Sequence, residues 1–236
     1  MTHHRDPIED MTMHRTRIKI CGLTREEDVA AAVAAGADAI GFVFYPKSPR
    51  YVAPARAAEL IATLPPFVTA VGLFVNASAE EVADIVRVAP VGLLQFHGDE
   101  TAGQCAQAAA AANRTYLRAF RVKPSTTGSE LLEYEAQCRA SSRLFAGLLF
   151  DTYVDAYGGA GKVFDWSVIP KELAHRAVLS GGLSVQNATG AVAQVRPFAV
   201  DVSSGVEAAK GIKDASLIAQ FIAAVKAGDA TPGNDA

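Results

Sequence analysis

The chain has 236 residues, and 50% of them are hydrophobic, which is enough for a substantial core within one domain. Its 22 Lys and Arg residues and 25 Asp and Glu residues give a net charge of -3, with no basic stripe that would favour nucleic acid or an anionic membrane. We therefore predict a small-molecule partner, with no nucleic acid and no membrane.

The cysteines and the two ends of the chain indicate a cytoplasmic protein. Three cysteines are too few for a disulfide scaffold and lack the paired spacing of a zinc site. The opening "MTHHRDPIEDMTMHR" has no apolar centre of the kind that a signal peptide needs. We predict that residues 1–16 and 228–236 are disordered, because neither segment carries an apolar period.

Between these ends, eight apolar runs of strand length alternate with stretches of helical period. In chain order the runs are "RIKIC", "DAIGFVF", "VTAVGLFV", "VGLLQF", "TYLRAF", "AGLLFD", "AVLSG" and "FAVDVS". Thr24 with Glu27, and Ser78 with Glu81, have the spacing of capping boxes that begin helices. Gly36 suits the left-handed residue that ends the first helix.

This alternation predicts one domain over residues 17–227, a (β/α)8 TIM barrel with a parallel eight-stranded core. Nearly continuous Val, Ile, Leu and Phe runs are typical of parallel strands covered on both faces. Alternation alone does not distinguish a closed barrel from a doubly wound open sheet, which stays the alternative. The sixth unit is the weakest, since Pro170 interrupts its short helix.

In such a barrel the chemistry lies at the C-terminal ends of the strands, where the sequence places Cys21. A free cysteine is often an inert core residue, but Cys21 lies just before a predicted helix start, whose positive end favours a thiolate. Cys105 and Cys138 fall within helical periods, and we interpret both as packing residues.

Asp151 ends the sixth strand and opens the glycine-rich loop "TYVDAYGGAGKVFDW". A strand-end aspartate can simply bind backbone amides of the next loop, whereas a loop of this kind can also cover a site and exclude water. "GGAGK" does not fit a nucleotide phosphate loop, because Ala156 replaces its first glycine and Val163 follows the lysine.

Two loops near the end of the chain predict a phosphate site. Gly181 and Gly182 follow the seventh strand, and Ser203, Ser204 and Gly205 follow the eighth. Glycine and serine let backbone amides approach an anion, and barrels of this type usually bind phosphate after these two strands. A phosphorylated substrate is therefore expected.

The ordered blocks "KICGLT", "GFVFYPKSPRYV", "VGLFVN", "LQFHGDE", "DTYVDAYGGAGKVFDW", "LSGGLS" and "VDVSSGVEAAKGIKD" resemble phosphoribosylanthranilate isomerases over residues 17–226. The resemblance implies a (β/α)8 barrel that converts N-(5-phosphoribosyl)anthranilate to 1-(2-carboxyphenylamino)-1-deoxyribulose 5-phosphate, with no metal or organic cofactor. It implies that Cys21 is the general base, Asp151 the general acid, and Arg50 the group near the anthranilate carboxylate. Phe96 stands where the family pattern has leucine. This departure does not affect the residues of the proposed chemistry.

His97 and Asp201 also project from strand ends, where each could position a substrate hydroxyl or form a structural hydrogen bond. Three other functions stay open as alternatives. A metal-dependent epimerase needs several inward ligands, yet His97 alone among five histidines ends a strand. A barrel could bind a phosphate ester without catalysis, and a thiol hydrolase would need a histidine beside Cys21. We expect a monomer or a homodimer.

Overall fold

The computed structural model describes residues 15–153 and 163–231 and contains a closed barrel of eight parallel strands in sequential order. The strands are β1 Arg17–Cys21, β2 Ala39–Val43, β3 Thr69–Phe74, β4 Leu93–Phe96, β5 Thr115–Val122, β6 Phe145–Thr152, β7 Val178–Leu179 and β8 Ala199–Val202. Pairing of β1 with β8, for example Lys19 with Asp201, closes the sheet. The predicted TIM barrel is confirmed, and the open sheet is wrong.

Helices follow the strands and cover the outside of the barrel. They are α1 Glu26–Ala35, α2 Pro54–Ala62, α3 Ala79–Val88, α4 Ala102–Ala112, α5 Gly128–Ser141, α6 Lys171–Ala174, α7 Ala188–Val195 and α8 Ala215–Asp229. As predicted, the sixth unit is short, because Pro170 separates a 3-10 turn at Trp166–Val168 from the four-residue α6. A small antiparallel hairpin of β9 Glu207–Ala209 and β10 Ile212–Lys213 follows β8.

The core has two layers, because successive residues of each strand face opposite sides of the sheet. The larger layer lies between strands and helices and contains fully buried aromatic rings such as Phe42, Phe96 and Phe150. A separate apolar cluster fills part of the barrel interior; its buried members are Leu117, Ala119, Leu149, Val178 and Ala199. Other interior positions are polar and buried, and they lie next to the pocket described below.

Two of the three helix signals are confirmed. Ser78 and Glu81 form the predicted capping box of α3, and Gly36 ends α1 with a φ of 100°. The capping box at Thr24 is wrong. The Thr24 hydroxyl instead donates a hydrogen bond to the carbonyl of Gly211, so α1 begins after Arg25 without a side-chain cap.

The domain limits at 17 and 227 are too narrow at both ends. Thr16 is buried, and its backbone N–H and hydroxyl donate to the two carboxylate oxygens of Asp229 at 2.9 and 2.6 Å. Helix α8 runs to Asp229, and its buried Gly228 packs against Val192 of α7. The prediction of disorder depended on the lack of an apolar period at the two ends. Polar contacts between distant residues leave no such period in the sequence. Residues 1–14 and 232–236 lie outside the described residues.

Within residues 15–153 and 163–231, none of the helices is long and apolar enough to cross a membrane. Most of the glycine-rich loop after β6, residues 154–162, lies outside the described residues, so the prediction that it covers a site stays a prediction.

Candidate active site

A pocket of about 100 Å³ lies at the C-terminal ends of the barrel strands. It brings together nine of the ten residues that the sequence singles out for catalysis or binding: Cys21, Arg50, His97, Asp151, Gly181, Gly182, Asp201, Ser203 and Ser204. Gly205 is not among the residues that line it. Polar residues that end different strands therefore converge on one site, as the barrel geometry requires.

The two predicted phosphate loops lie side by side in this pocket. Gly181 and Gly182 have φ values of 82° and 67°, in the left-handed region that favours glycine. Gly205 has a different role, since a Cβ there would collide with the carbonyl oxygen of Leu183. Its missing side chain lets the β8 loop pass closely against the β7 loop. The resulting glycine-rich backbone is suited to an anion.

Cys21 lies at the end of β1 beside a buried ion pair. The Lys19 ammonium is 2.7 Å from the Asp201 carboxylate, and it also contacts the Cys21 thiol. Both Lys19 Nζ and Cys21 Sγ lie against Gly41, at 3.1 and 2.7 Å from where a Cβ would stand. Glycine at this position leaves room for the two side chains to meet.

Two effects act in opposite directions on the Cys21 thiol. Burial raises the pKa of Cys21, while the Lys19 ammonium opposes the rise and Asp201 adds to it. The net direction is upward, because the thiol is only 3% exposed and a thiolate loses its hydration there. The expectation that the following helix start favours a thiolate stays a prediction, and Lys19 is the group that opposes the rise in the pKa of Cys21 most strongly.

If Cys21 acts as a base, Lys19→Met should move the limb of the kcat/KM pH profile that reports the raised pKa of Cys21, the limb at higher pH, further up. Removing the ammonium takes away the largest effect that lowers the pKa of Cys21 and leaves only the weaker one of Lys213, so a higher pH is needed to form the thiolate. Asp201→Asn should move the same limb to lower pH. Each variant leaves one buried charge unpaired and should lose about 3–5 kcal/mol of stability. Limbs that move together, or not at all, would contradict this electrostatic role.

Asp151 at the end of β6 is held by two groups. Its Oδ2 lies 2.8 Å from Nε2 of His97, and its Oδ1 accepts from the backbone N–H of Thr152 at 2.8 Å. The other ring nitrogen of His97 lies 3.0 Å from Nε2 of Gln95, a fully buried side chain of β4. His97 is thus a partner of the proposed acid.

Arg50 reaches the pocket from the loop after β2. Its Nε and Nη2 donate to the two carboxylate oxygens of Glu207 at 2.7 and 2.9 Å. Lys213 also bonds Glu207 at 2.9 Å, so both ends of the β9–β10 hairpin hold this site together. Gly22, with a φ of 78°, lets the Arg50 side chain pass closely over the backbone just after β1, since a Cβ would lie 2.5 Å from Arg50 Cδ.

Burial is the largest single effect and lowers the pKa of Arg50, but the hydrogen bonds to Glu207 and its negative charge, with a smaller effect of Cys21, together outweigh it, and the pKa of Arg50 is raised. The paired contact uses two of the five N–H groups of the guanidinium, which leaves three for a further carboxylate. Glu207 therefore fixes the plane of the guanidinium at the pocket wall.

The other cysteines agree with the packing interpretation. Cys105 and Cys138 are fully buried on α4 and α5, and burial raises the pKa of Cys105 to about 12. In the part of the chain that the structure describes, no group of three or more His, Cys, Asp or Glu side chains could hold a metal ion.

Sequence reasoning missed four charged or polar residues of the site: Lys19, Gln95, Glu207 and Lys213. A usable signal exists for two of them. Lys19 and Gln95 are polar positions inside apolar strands, and each lies two residues before a residue already singled out, on the same face. Glu207 and Lys213 lie in strands of three and two residues, which are too short for a periodic signal.

Comparison with known proteins gives a consistent result. The family model for N-(5'phosphoribosyl)anthranilate (PRA) isomerase matches residues 18–224. The N-(5'-phosphoribosyl)anthranilate isomerase of Herminiimonas arsenicoxydans is 67% identical over 221 residues, which cover 94% of this chain and 97% of that protein.

Solved structures agree with the sequence match. The crystal structure of phosphoribosyl anthranilate isomerase from Thermotoga maritima is 42% identical with a TM-score of 0.79, covering 89% of this chain and 98% of that one. A second structure, an isomerase in complex with reduced 1-(o-carboxyphenylamino)-1-deoxyribulose 5-phosphate, is 40% identical with a TM-score of 0.76 over the same shares. The fold, the pocket and these relatives agree: the chain belongs to the N-(5'-phosphoribosyl)anthranilate isomerase family.

Proposed function

We propose that the pocket carries out the Amadori rearrangement of N-(5-phosphoribosyl)anthranilate with Asp151 as general acid and Cys21 as general base. The observation that carries this assignment is the convergence of both groups on one pocket that also holds Arg50 and the two glycine-rich loops. The ligand of the 40% identical relative is the reduced form of the expected ketose product, which supports the substrate class.

The first step needs an acid. Opening the ribose ring requires a proton on the ring oxygen, while the amine nitrogen supplies electrons to form a protonated Schiff base. Asp151 is the carboxyl group positioned for this transfer, because His97 and the Thr152 amide fix its two oxygens. It must carry a proton when the substrate is bound.

The second step needs a base on another strand. Cys21, as a thiolate, takes the proton from C2 and leaves a neutral enolamine. The enolamine tautomerises to the ketone, with a proton added at C1 and one lost from the C2 hydroxyl. No proton is gained or lost overall, which agrees with an isomerisation that uses only groups of the chain and the substrate.

Substrate charge is bound at two ends of the pocket. The phosphate suits the backbone amides of the two glycine-rich loops, at Gly181, Gly182, Ser203 and Ser204. These N–H groups can bind its negative charge without a side-chain cation. Arg50, with its plane fixed by Glu207, suits the carboxylate of the anthranilate ring. Asp201 lines the same pocket and could accept from a ribose hydroxyl.

A direct assay tests this function. Purified protein is mixed with freshly made phosphoribosylanthranilate. The fluorescence of this substrate is then followed with and without a chelator. We expect decay well above the spontaneous rate and unchanged by chelation. Decay at the spontaneous rate would contradict catalysis, and loss of activity with chelator would favour the metal-dependent alternative.

Replacing Arg50 by alanine should lower kcat/KM by about ten- to a hundred-fold, since a hydrogen bond to a charged group contributes about 1.5–3 kcal/mol. Glu207 keeps Lys213 as its partner, so the fold should survive. Arg50→Lys should recover only part of the loss, because an ammonium lacks the paired geometry. Arg56→Ala on the outer helix α2 is the control, because Arg56 pairs with Glu59 of the same helix, and equal kinetics in both alanine variants would contradict the assignment.

We also propose a cytoplasmic location and a monomeric or homodimeric state, as the sequence predicts. Light scattering of the purified full chain would measure the second directly.

A further inference from the structure

The hydrogen-bonded chain Gln95–His97–Asp151 contains one atom that the proposed mechanism does not explain. Oε1 of Gln95 is buried and has no hydrogen-bond partner within the described residues. A buried acceptor without a donor is unfavourable, and the amide of Gln95 is the only part of this side chain that can turn to change it. The side chain is completely buried on β4 and lines the pocket.

The present orientation of this amide fixes one proton. Nε2 of Gln95 lies 3.0 Å from Nδ1 of His97 and can only donate, so Nδ1 is an acceptor and the His97 proton is on Nε2. Nε2 of His97 then donates to Oδ2 of Asp151 at 2.8 Å. In this arrangement Asp151 is a carboxylate, which accepts from both His97 and Thr152 and has no proton to give.

Turning the amide of Gln95 by 180° reverses the direction of the hydrogen bonds from Gln95 through His97 to Asp151. Oε1 then accepts from an N–H at Nδ1, and the short contact between Nε2 of His97 and Oδ2 of Asp151 needs a second proton between two acceptors. The pair now holds the proton that ring opening requires. The turn exchanges one unpaired amide atom for another, so the protonation of the pair decides between two arrangements of similar energy.

We propose that Gln95 is a positioning residue whose amide orientation determines whether the His97–Asp151 pair holds one proton or two, and thereby sets the pH range in which the pair can act as acid. This inference rests on the proposed function, in which Asp151 protonates the ribose ring oxygen. In that step the bond from the shared proton to the pair breaks and an O–H bond to the ring oxygen forms. The balance closes because the C2 hydroxyl later releases one proton.

Other titratable or charged groups surround the pair. Replacing Gln95 leaves these side chains themselves in place. Among the described residues they are Cys21 and Lys19 of β1, Tyr45 and Arg50 after β2, Arg121 of β5 and Asp201 of β8. Because burial raises the pKa of the Cys21 thiol, the limb of the rate profile at higher pH reports Cys21 and the limb at lower pH reports the His97–Asp151 pair. A change confined to the lower-pH limb therefore reports on the pair.

Two replacements should move the lower-pH limb of kcat, which reports the pair, in opposite directions. Gln95→Glu supplies a permanent acceptor for the N–H at Nδ1 and should move the limb up by about one pH unit, a tenfold change in the proton equilibrium. Gln95→Met has similar volume but no acceptor, and should move the limb down by about the same amount. Gln107→Glu, the same change on the exposed face of α4, should leave the profile as in the parent.

A second measurement observes His97 directly. In ¹⁵N spectra of the full-length protein, with His97→Asn used for assignment, the ring should pass from Nδ1–H to Nε2–H as the pH rises. Gln95→Glu should keep Nδ1 protonated throughout that range, and Gln95→Met should lose this proton at lower pH than the parent.

The outcomes separate this inference from the proposed function. Parent-like limbs and parent-like ring signals in folded Gln95→Met, with Asp151→Asn inactive, would overturn the role of Gln95 alone. An active Asp151→Asn would overturn the acid assignment, while the ring signals would still report whether Gln95 controls the tautomer. A uniform fall in kcat at every pH would mean that Gln95 only packs the strand.

Discussion

Replacing Cys21 by alanine is expected to lower kcat by about 10²–10⁴, the usual contribution of one positioned proton-transfer group. No other described thiol lines the pocket to take over the C2 proton. The loss of one buried sulfur should leave the barrel folded and the phosphate loops in place. Measured kcat, KM and melting temperature of the purified variant test this directly.

Three further variants sharpen the result. Cys21→Ser should remain inactive, because a hydroxyl forms almost no anion near neutral pH. Cys105→Ala and Cys138→Ala remove sulfurs of the packing layer and should change stability modestly while keeping kcat. A parent-like rate in Cys21→Ala, or an equal loss in a folded Cys105→Ala, would show that Cys21 is not the base.

Replacing Asp151 by asparagine is also expected to lower kcat by about 10²–10⁴, because the amide keeps the shape of the carboxyl but cannot supply a carboxylic proton. The amide oxygen can still accept from the Thr152 N–H, so the loop after β6 should keep its start. KM should change little, since the amide has nearly the size of the carboxyl group and leaves the close approach of Gly181 to this side chain unchanged.

Asp84→Asn on the exposed face of α3 makes the same chemical change without touching the pocket, and it should behave as the parent. If Asp151→Asn turned over substrate at the parent rate while folded, ring opening would need another acid. Loss of activity together with loss of the folded state would instead assign Asp151 to structure.

The barrel was predictable because its strands lie within nearly continuous apolar runs that alternate with helical periods, a pattern that can be read from the sequence alone. The error at Thr24 has a tertiary cause: Gly211, far along the chain, offers its carbonyl to the hydroxyl that a capping box would need. The end of α8 at Asp229 was likewise missed, because the contact that holds it is polar and its partner Thr16 lies at the other end of the domain.

The site was predictable where residue type and strand end coincide, as for Cys21, Asp151 and the glycine-rich loops. The protonation of these groups was not. Burial raises the pKa of Cys21, and the Lys19 ammonium on the same strand opposes the rise. Burial, and the pairing of Lys19 with Asp201 of β8, arise only when the barrel closes.

The contact between Thr16 and Asp229 brings the two ends of the folded domain together at the face where the strands begin. The pocket lies at the opposite face, where the strands end. A short linker could therefore join these ends, and a new terminus could be opened in a surface loop without moving the catalytic groups. Circular permutation and fusion to another domain are thus geometrically compatible with this barrel, provided that the carboxylate of Asp229 is kept.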